Sequence, residues 1–199
     1  MLKVSPTLLD SFYYFLGIED YDQSRVARKS ILDRLRGMSV PNAAMQKGID
    51  FESNVVLAMD GKYVPKKEDK YSKCVNECSR LLAGSIHNQF ACMKFDGFIL
   101  EGWMDFIRIN RVFDLKTTKK YTLGKYINNF QHRFYLYCLM DSCVNNFTYL
   151  ITDFRSVYRE DYQWEKSFVH DIRSGINGFM DYLDRDKEMK VAYLERHDV

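Results

Sequence analysis

The sequence predicts a mixed α/β fold, a central mixed β-sheet flanked by helices. Three observations carry this. Residues up to about 84 read as a run of amphipathic helices; residues 87–116 are rich in β-branched and aromatic side chains and read as three consecutive strands; the remainder reads helix, β-hairpin, helix. That order lacks the repeated βα alternation of a parallel barrel. At 199 residues, with 46% apolar and 15% aromatic side chains, the chain can bury a sizeable core. Only 10 Gly and 3 Pro are present and no Gly/Ser- or Pro-rich linker interrupts them, so a single domain over 1–199 is expected. Its parts are a helical segment (1–84), a sheet core (85–185) and a C-terminal tail or last helix (186–199).

Each element has local cause. Ser5 as N-cap and Pro6 at the first helical position open a helix that places Leu8, Leu9, Phe12, Phe15 and Leu16 on one side, with Gly17 to stop it. A second helix fits 22–36, with Val26, Ile31 and Leu35 inward and Gly37 beyond its end. A third fits 42–59 and a fourth 68–83, the latter carrying Val75, Cys78, Leu81 and Leu82. Strands fit 87–94, 97–109 and 111–116, then a helix 123–141 and strands 146–154 and 157–164. Phe168, Ile172, Ile176, Phe179 and Leu183 mark a last amphipathic helix.

The formal charge of +2 points to no partner by itself. Its distribution says more: Arg25, Arg28, Lys29, Arg34 and Arg36 face one acid, Asp33, and a second basic group holds Lys116, Lys119, Lys120 and Lys125. Such patches either contact phosphates or form solvated faces. Five cysteines, an odd number, and a start without the charged-then-apolar pattern of a signal peptide lead to the expectation of a reducing cytoplasm, or a host-cell cytoplasm for a phage or viral protein. No apolar run is long enough to span a bilayer. Cys74 and Cys78 read as buried structural thiols, because two thiols do not complete a tetrahedral site.

Chemistry concentrates in residues 98–116. If 100–109 and 112–116 pair as antiparallel strands about Asn110-Arg111, Asp105 faces Lys116 and Ile107 faces Asp114. Side chains alternate with period two, so Asp105, Asp114 and Lys116 project from one face. Carboxylates at diagonal positions, roughly 7–8 Å apart at the backbone, reach one ion between them. Without a cation the two would repel and shift their pKa values. A D-x-K tripeptide alone is more often an edge salt bridge. Hard oxygen donors without a Cys or His pair suit Mg2+ or Mn2+ better than Zn2+. On the third helix, Met45, Ile49, Glu52, Val56 and Met59 form one stripe, which sets Glu52 among apolar side chains; a metal ligand explains this more economically than an ion pair with an Arg. Gln131 and Tyr135 lie one turn apart on a later helix, as a polar patch, a core position or a support for water and phosphate.

Taken together, these residues resemble the PD-(D/E)XK nuclease superfamily, in its RecB-like and lambda-type phage exonuclease branch. The likeness runs through Ser5-Pro6-Thr7-Leu8-Leu9 with Phe12-Tyr13, then Gly48-x-x-Phe51-Glu52, Gly102-x-x-Asp105, Asp114-Leu115-Lys116 and Gln131-x-x-x-Tyr135. Each motif is weak alone; five in order over about two-thirds of the chain are specific. The resemblance implies a restriction-endonuclease-like core, metal ligands at Asp105 and Asp114 with the Leu115 backbone carbonyl, and Lys116 as catalytic lysine. It also implies that Gln131 and Tyr135 support DNA and the site. Glu52 stands where many RecB-type nucleases carry a metal-binding His and lambda-type members a Glu. No Cys precedes Cys74, and only Cys138 and Cys143 follow Gln131, so no iron–sulfur cluster is expected.

The expected function is therefore a divalent-metal-dependent deoxyribonuclease, exonucleolytic rather than sequence-specific, in recombination, repair or phage DNA metabolism. Arg25, Arg28, Lys29, Lys119, Lys120 and Lys125 are the candidate nucleic-acid contacts. Any unwinding falls to a helicase or recombination partner, since no phosphate-binding G-x-x-x-x-G-K-[ST] loop is present. Two alternatives stay open: a catalytically silent nucleic-acid-binding or assembly protein with the nuclease fold, and a nuclease acting on RNA. Oligomeric state is not legible.

Overall fold

A computed structural model describes residues 1–65 and 71–197, the side chain of residue 197 excepted. Its described elements, in chain order, are β1 (Leu2–Val4), α1 (Pro6–Leu16), α2 (Tyr21–Leu35), α3 (Ala43–Met59), α4 (Ser72–Leu81), β2 (Ile86–Phe95), β3 (Phe98–Arg108), β4 (Arg111–Thr117), α5 (Phe130–Cys138), β5 (Asn146–Thr152), β6 (Val157–Gln163), α6 (Ser167–Arg185) and α7 (Lys187–His197). The strands form one mixed sheet in the order β1-β3-β4-β5-β6, with β2 also paired to β3. The mixed α/β architecture read from the sequence is the one observed.

The helix starts follow the capping residues. Ser5 accepts the Leu8 N–H at 3.2 Å, Asp20 the Gln23 N–H at 2.8 Å, and Asn42 the N–H groups of Ala44 and Met45. Gly37, with φ of +71°, follows the last turn of α2 in a conformation glycine adopts without strain. Several expected faces are rotated. Val26 is 70% exposed, and α2 buries Ile31, Leu32 and Leu35 instead. Leu16 is also exposed. On α3 the buried residues are Phe51 and Val55, while Met45 and Ile49 are 42% and 46% exposed. The inward stripe thus lies one residue, about 100°, from the predicted one. Phe51 decides this, since its ring packs edge-on against Phe154 at 5.6 Å.

Other boundaries differ as well. The first described residue of α4 is Ser72, and residues 66–70, where the predicted helix begins, lie outside the described residues. α5 starts at Phe130 rather than 123, because residues 123–128 form turns with Gly124 at φ +75°. Residues 187–197 are helical, and Met189, Ala192 and Tyr193 are buried against α1, α2, α6 and β1. β1, too short to show periodicity, is an addition to the predicted strands.

Three apolar clusters fill the space on either side of the sheet. α3 and α4 pack Phe51, Val55, Val75, Cys78 and Leu82 against Phe106, Phe113 and Leu150. Burial pushes the Cys78 thiol up to about 12, as expected for a structural cysteine. α5 packs Tyr135 and Leu136 against Val112, Phe147 and Tyr149. α1, α2, α6 and α7 gather around Leu9, Phe12, Phe179 and Tyr193. No helix among the described residues is long and apolar enough to cross a membrane.

One feature of the sheet positions the site. β1 pairs with β3 at Phe98, Ile99 and Leu100, and β4 pairs with the same edge at Phe106, Ile107 and Arg108. Between them, among the described residues, residues 101–105 of β3 have no ladder partner on that edge. β3 and β4 therefore diverge beyond Phe106 and Phe113, and the fork between them opens at Asp105.

Candidate active site

The β3–β4 pairs sum to 219, as in Phe106↔Phe113, not to the predicted 221, because the turn lies at Ile109-Asn110. Asp105 is thus opposite Asp114 rather than Lys116. A shift of two preserves side-chain parity, so Asp105, Asp114 and Lys116 still share a face. In the fork the Asp105 carboxylate replaces the missing ladder bond: its Oδ2 accepts the Leu115 N–H at 2.8 Å. The N–H and C=O of one strand residue point to the same edge, so the Leu115 carbonyl also faces the fork.

Asp114 is 2% exposed. Its Oδ1 accepts Nε2 of Gln131 at 2.9 Å, and its Oδ2 pairs with Nζ of Lys116 at 2.7 Å. Burial works against the Lys116 ammonium, but the charges of Asp114 and Asp105 outweigh it and hold the lysine above its ordinary range. Asp105 is pushed well above the usual carboxylate range by burial first and by the Asp114 charge second. Lys116 and the Leu115 N–H oppose this, while Glu52 adds to it. Three carboxylates thus act on one small volume that holds one lysine.

Glu52 reaches the site from α3 at the edge of the buried stripe, not within it. Its side chain is 33% exposed and its Oε1 lies 3.1 Å from Nε2 of His87 on β2, whose ring packs on Phe106. His87 was not singled out in the sequence; its place two strands away from Asp114 is set by pairing alone. Beside it Asn88 adopts φ +56° opposite Asp105, between the ladder pairs His87↔Phe106 and Gln89↔Met104. His132, next to Gln131, plays no comparable part: it is buried against Tyr162, and burial pushes it down to about 3.

Tyr135 is buried, and its hydroxyl donates to the Trp103 carbonyl at 2.7 Å, on the stretch of β3 that has no ladder partner on its β1/β4 edge. Gly102 makes room for this ring, since a Cβ there would lie 2.8 Å from the Tyr135 oxygen and 3.3 Å from Pro6. A second residue absent from the sequence expectations is Asp10 of α1. Its Oδ1 accepts the Phe130 N–H at 2.6 Å and so caps α5 in place of Asn129, which makes no side-chain cap. Burial raises Asp10 to about 7, partly offset by the Phe130 N–H and by Lys116. Its one sequence signal is that it is the lone charged residue of α1.

A cleft of about 720 Å³ leads to these groups, lined by α1 and α2 and ending on Lys116, Asn129 and Gln131. α2 presents Asp22, Gln23, Val26 and Ser30 to it. The basic residues Arg25, Arg28 and Lys29 are turned away, into a separate groove with Arg36 and Glu188. Arg28 is held by Asp186 and Glu188 of α7, and Lys29 by Asp33. Arg25, Arg28 and Lys29 thus lie on a face of α2 other than the one that lines the cleft, and Arg28 and Lys29 are ion-paired there. Lys125 donates to Thr118 and the Lys120 carbonyl, bracing the loop after β4. Lys119 lines a different groove, near α3.

The donor set suits a hard divalent cation: Asp105, Asp114 and Glu52 carboxylates with the Leu115 carbonyl, and no thiolate. Among the described residues, no group of three or more His, Cys, Asp or Glu side chains stands as placed where it could hold a metal ion. Asp105 is committed to Leu115, Asp114 to Gln131 and Lys116, and Glu52 to His87.

Among solved structures, LHK-Exo, crystallised in complex with dAMP, superposes with a TM-score of 0.52 at 14% identity, covering 98% of this chain and 92% of that one. The chain shares the fold of an exonuclease. SSO0001 is also similar, with a TM-score of 0.48 and 12% identity over 88% of this chain and 76% of that one. No protein-family model matches the chain, and no curated protein matches it in sequence.

Proposed function

We propose that the protein is a divalent-metal-dependent nuclease that hydrolyses DNA phosphodiester bonds, acting from an end. The observation that carries this reading is the fork between β3 and β4, where Asp105, Asp114 and Lys116 meet and where the Glu52 charge acts on Asp105 from α3. Buried acids gathered around one lysine are unfavourable unless a cation joins them. Mg2+ or Mn2+ fits the oxygen donors of Asp105, Asp114, Glu52 and the Leu115 carbonyl. When bound, the cation polarises the phosphoryl oxygen and acidifies an attacking water.

The chain's own groups supply the rest. Lys116 stays an ammonium because Asp114 and Asp105 flank it, and it places a positive charge where negative charge develops on the phosphoryl group. Gln131 fixes the orientation of Asp114, and Tyr135 anchors α5 to the open edge of β3. The likeness of fold to an exonuclease supports end-directed action on DNA, and places in recombination, repair or phage DNA metabolism follow by analogy. The intact acid–acid–lysine trio weighs against a silent scaffold.

The test is purified protein with end-labelled linear DNA, circular DNA, single-stranded DNA and RNA, each with Mg2+, Mn2+ or EDTA. Metal-dependent loss of linear DNA with circles intact is the expected result. Cutting of circles would make it an endonuclease, and cutting of RNA alone a ribonuclease. No metal-dependent cleavage of any substrate would end the enzyme reading.

A further inference from the structure

A second groove, of about 540 Å³, lies where α3, α4, the end of β4 and the β5–β6 turn meet. Lys47, Lys73, Lys119 and Arg155 line it together with Tyr71, Phe154 and Asp153. Among the described residues none of the four cations forms an ion pair. Among the described lining residues the one acid is already engaged: Asp153 Oδ1 accepts the Arg155 and Ser156 N–H groups, each at 2.9 Å, and Oδ2 accepts the Tyr158 hydroxyl at 3.1 Å.

The groove is built rather than incidental. Phe154 takes φ +67°, a conformation bulky L-residues avoid. The turn enforces it, because Thr152 Oγ1 accepts the Phe154 N–H and donates to the Ser156 carbonyl. The strained residue places its ring 3.8 Å from Nζ of Lys47, with the Tyr71 ring at 4.8 Å, so one ammonium is fixed over two aromatic faces. Thr118 N–H bonds the Thr152 carbonyl at 2.9 Å, which pins the segment carrying Lys119 beside the same turn.

The same elements carry the candidate active site. α3 holds Glu52 and, about 7.5 Å earlier along its axis, Lys47. β4 runs from Asp114 to Thr117, about 10 Å, before the chain reaches Lys119. Where they cross, a Cβ on Gly48 would lie 3.0 Å from Thr117 Oγ1, so helix and strand are in close contact there. We propose that this groove holds the phosphodiester backbone of the nucleic-acid strand three or four phosphates from the bond being cut, at about 3.4 Å per nucleotide of a stacked strand. This rests on the nuclease reading for its register, but the binding itself does not require cleavage. One ammonium fixed over aromatic faces, with three further cations along the same groove, suits strand binding led by phosphate contacts and stacking.

The experiment measures binding of fluorescent 12-nucleotide single-stranded DNA and RNA in EDTA, from 50 to 300 mM salt. It compares the parent, a Lys119→Ala/Arg155→Ala protein and an Arg25→Ala/Lys29→Ala protein, all checked for unchanged melting temperature. The groove variant is expected to reduce the slope of log K against log salt by about 1.4, roughly 0.7 per lost phosphate contact on a single strand. The α2 variant should leave the slope unchanged. Response to one sugar only would identify which backbone the groove holds. An unchanged slope in the groove variant, or an equal loss in the α2 variant, overturns the proposal. Because EDTA removes the metal, an inactive protein still tests the groove, and a failed cleavage assay with groove-dependent binding sinks the nuclease reading alone.

Discussion

Gln131 Nε2 donates to Oδ1 of Asp114 across 2.9 Å, tying the first turn of α5 to the middle of β4. Asp114 is buried, so this bond both satisfies a carboxylate and aims its other oxygen at Lys116. Gln131→Ala is expected to destabilise the fold by about 1–3 kcal/mol, the usual range for leaving a buried polar group short of a partner. Metal-dependent cleavage should fall by roughly 10–100-fold, as for other residues that orient a ligand. Urea unfolding and single-turnover rates measure the two effects separately.

Lys116→Met removes the one ammonium among Asp105, Asp114 and Glu52. Cleavage should fall by about 10²–10³-fold, the range for losing one preorganised charge or donor at a reacting centre. Metal binding should persist, since the carboxylates remain. Calorimetric titration with Mn2+ beside the cleavage assay checks the pair of outcomes.

Asp10 and Asp105 give the apo-protein a distinctive pH response. Asp10 has its folded value raised from 3.8 to about 7 by burial, against the Phe130 N–H and the Lys116 charge. Between about pH 4 and pH 7 the folded chain therefore holds a proton that the unfolded chain has released. Stability falls as pH rises through that window and levels off above it, and Asp105, also raised, adds in the same direction. Asp10→Asn keeps an acceptor for Phe130 and should flatten the decline in urea midpoint. Added Mg2+ should stabilise more at pH 8 than at pH 5.5, because its ligands must be ionised.

Gly102 and Tyr135 form a steric pair. Gly102→Ala drives a methyl group to 2.8 Å from the Tyr135 oxygen and should destabilise by about 1–3 kcal/mol, the range for overpacking. In a Tyr135→Phe background the same change should cost less, because the opposing oxygen is gone. A double-mutant cycle with coupling of at least about 0.5 kcal/mol verifies the contact.

The strand portion of the site was legible because side-chain parity does not depend on exact register. The hairpin turn lies elsewhere than read, yet Asp105, Asp114 and Lys116 share a face under either pairing. Gln131 and Tyr135 were legible as one helical turn, though not that one would hold Asp114 and the other the Trp103 carbonyl. Glu52 is legible on α3, but Phe51 rather than Ile49 fixes the phase of that helix, so Glu52 borders the buried stripe instead of lying within it. Asp10 acts on Phe130 from 120 residues away, a separation no local pattern encodes. The same holds for Arg28, whose charge is taken by α7. β1 is three residues long and gains its identity only from its pairing with β3.

If Asp105 and Asp114 gather one divalent cation to cut a phosphodiester bond, cleavage must need both carboxylates and the metal together. Single-turnover cleavage of an end-labelled oligonucleotide across a Mn2+ titration tests it most directly, with Asp105→Asn and Asp114→Asn proteins alongside the parent. Saturable, EDTA-sensitive cleavage by the parent and a loss of at least about 10²-fold in both variants are expected. Cleavage that persists in EDTA, or that either variant retains at the parental rate, would contradict it.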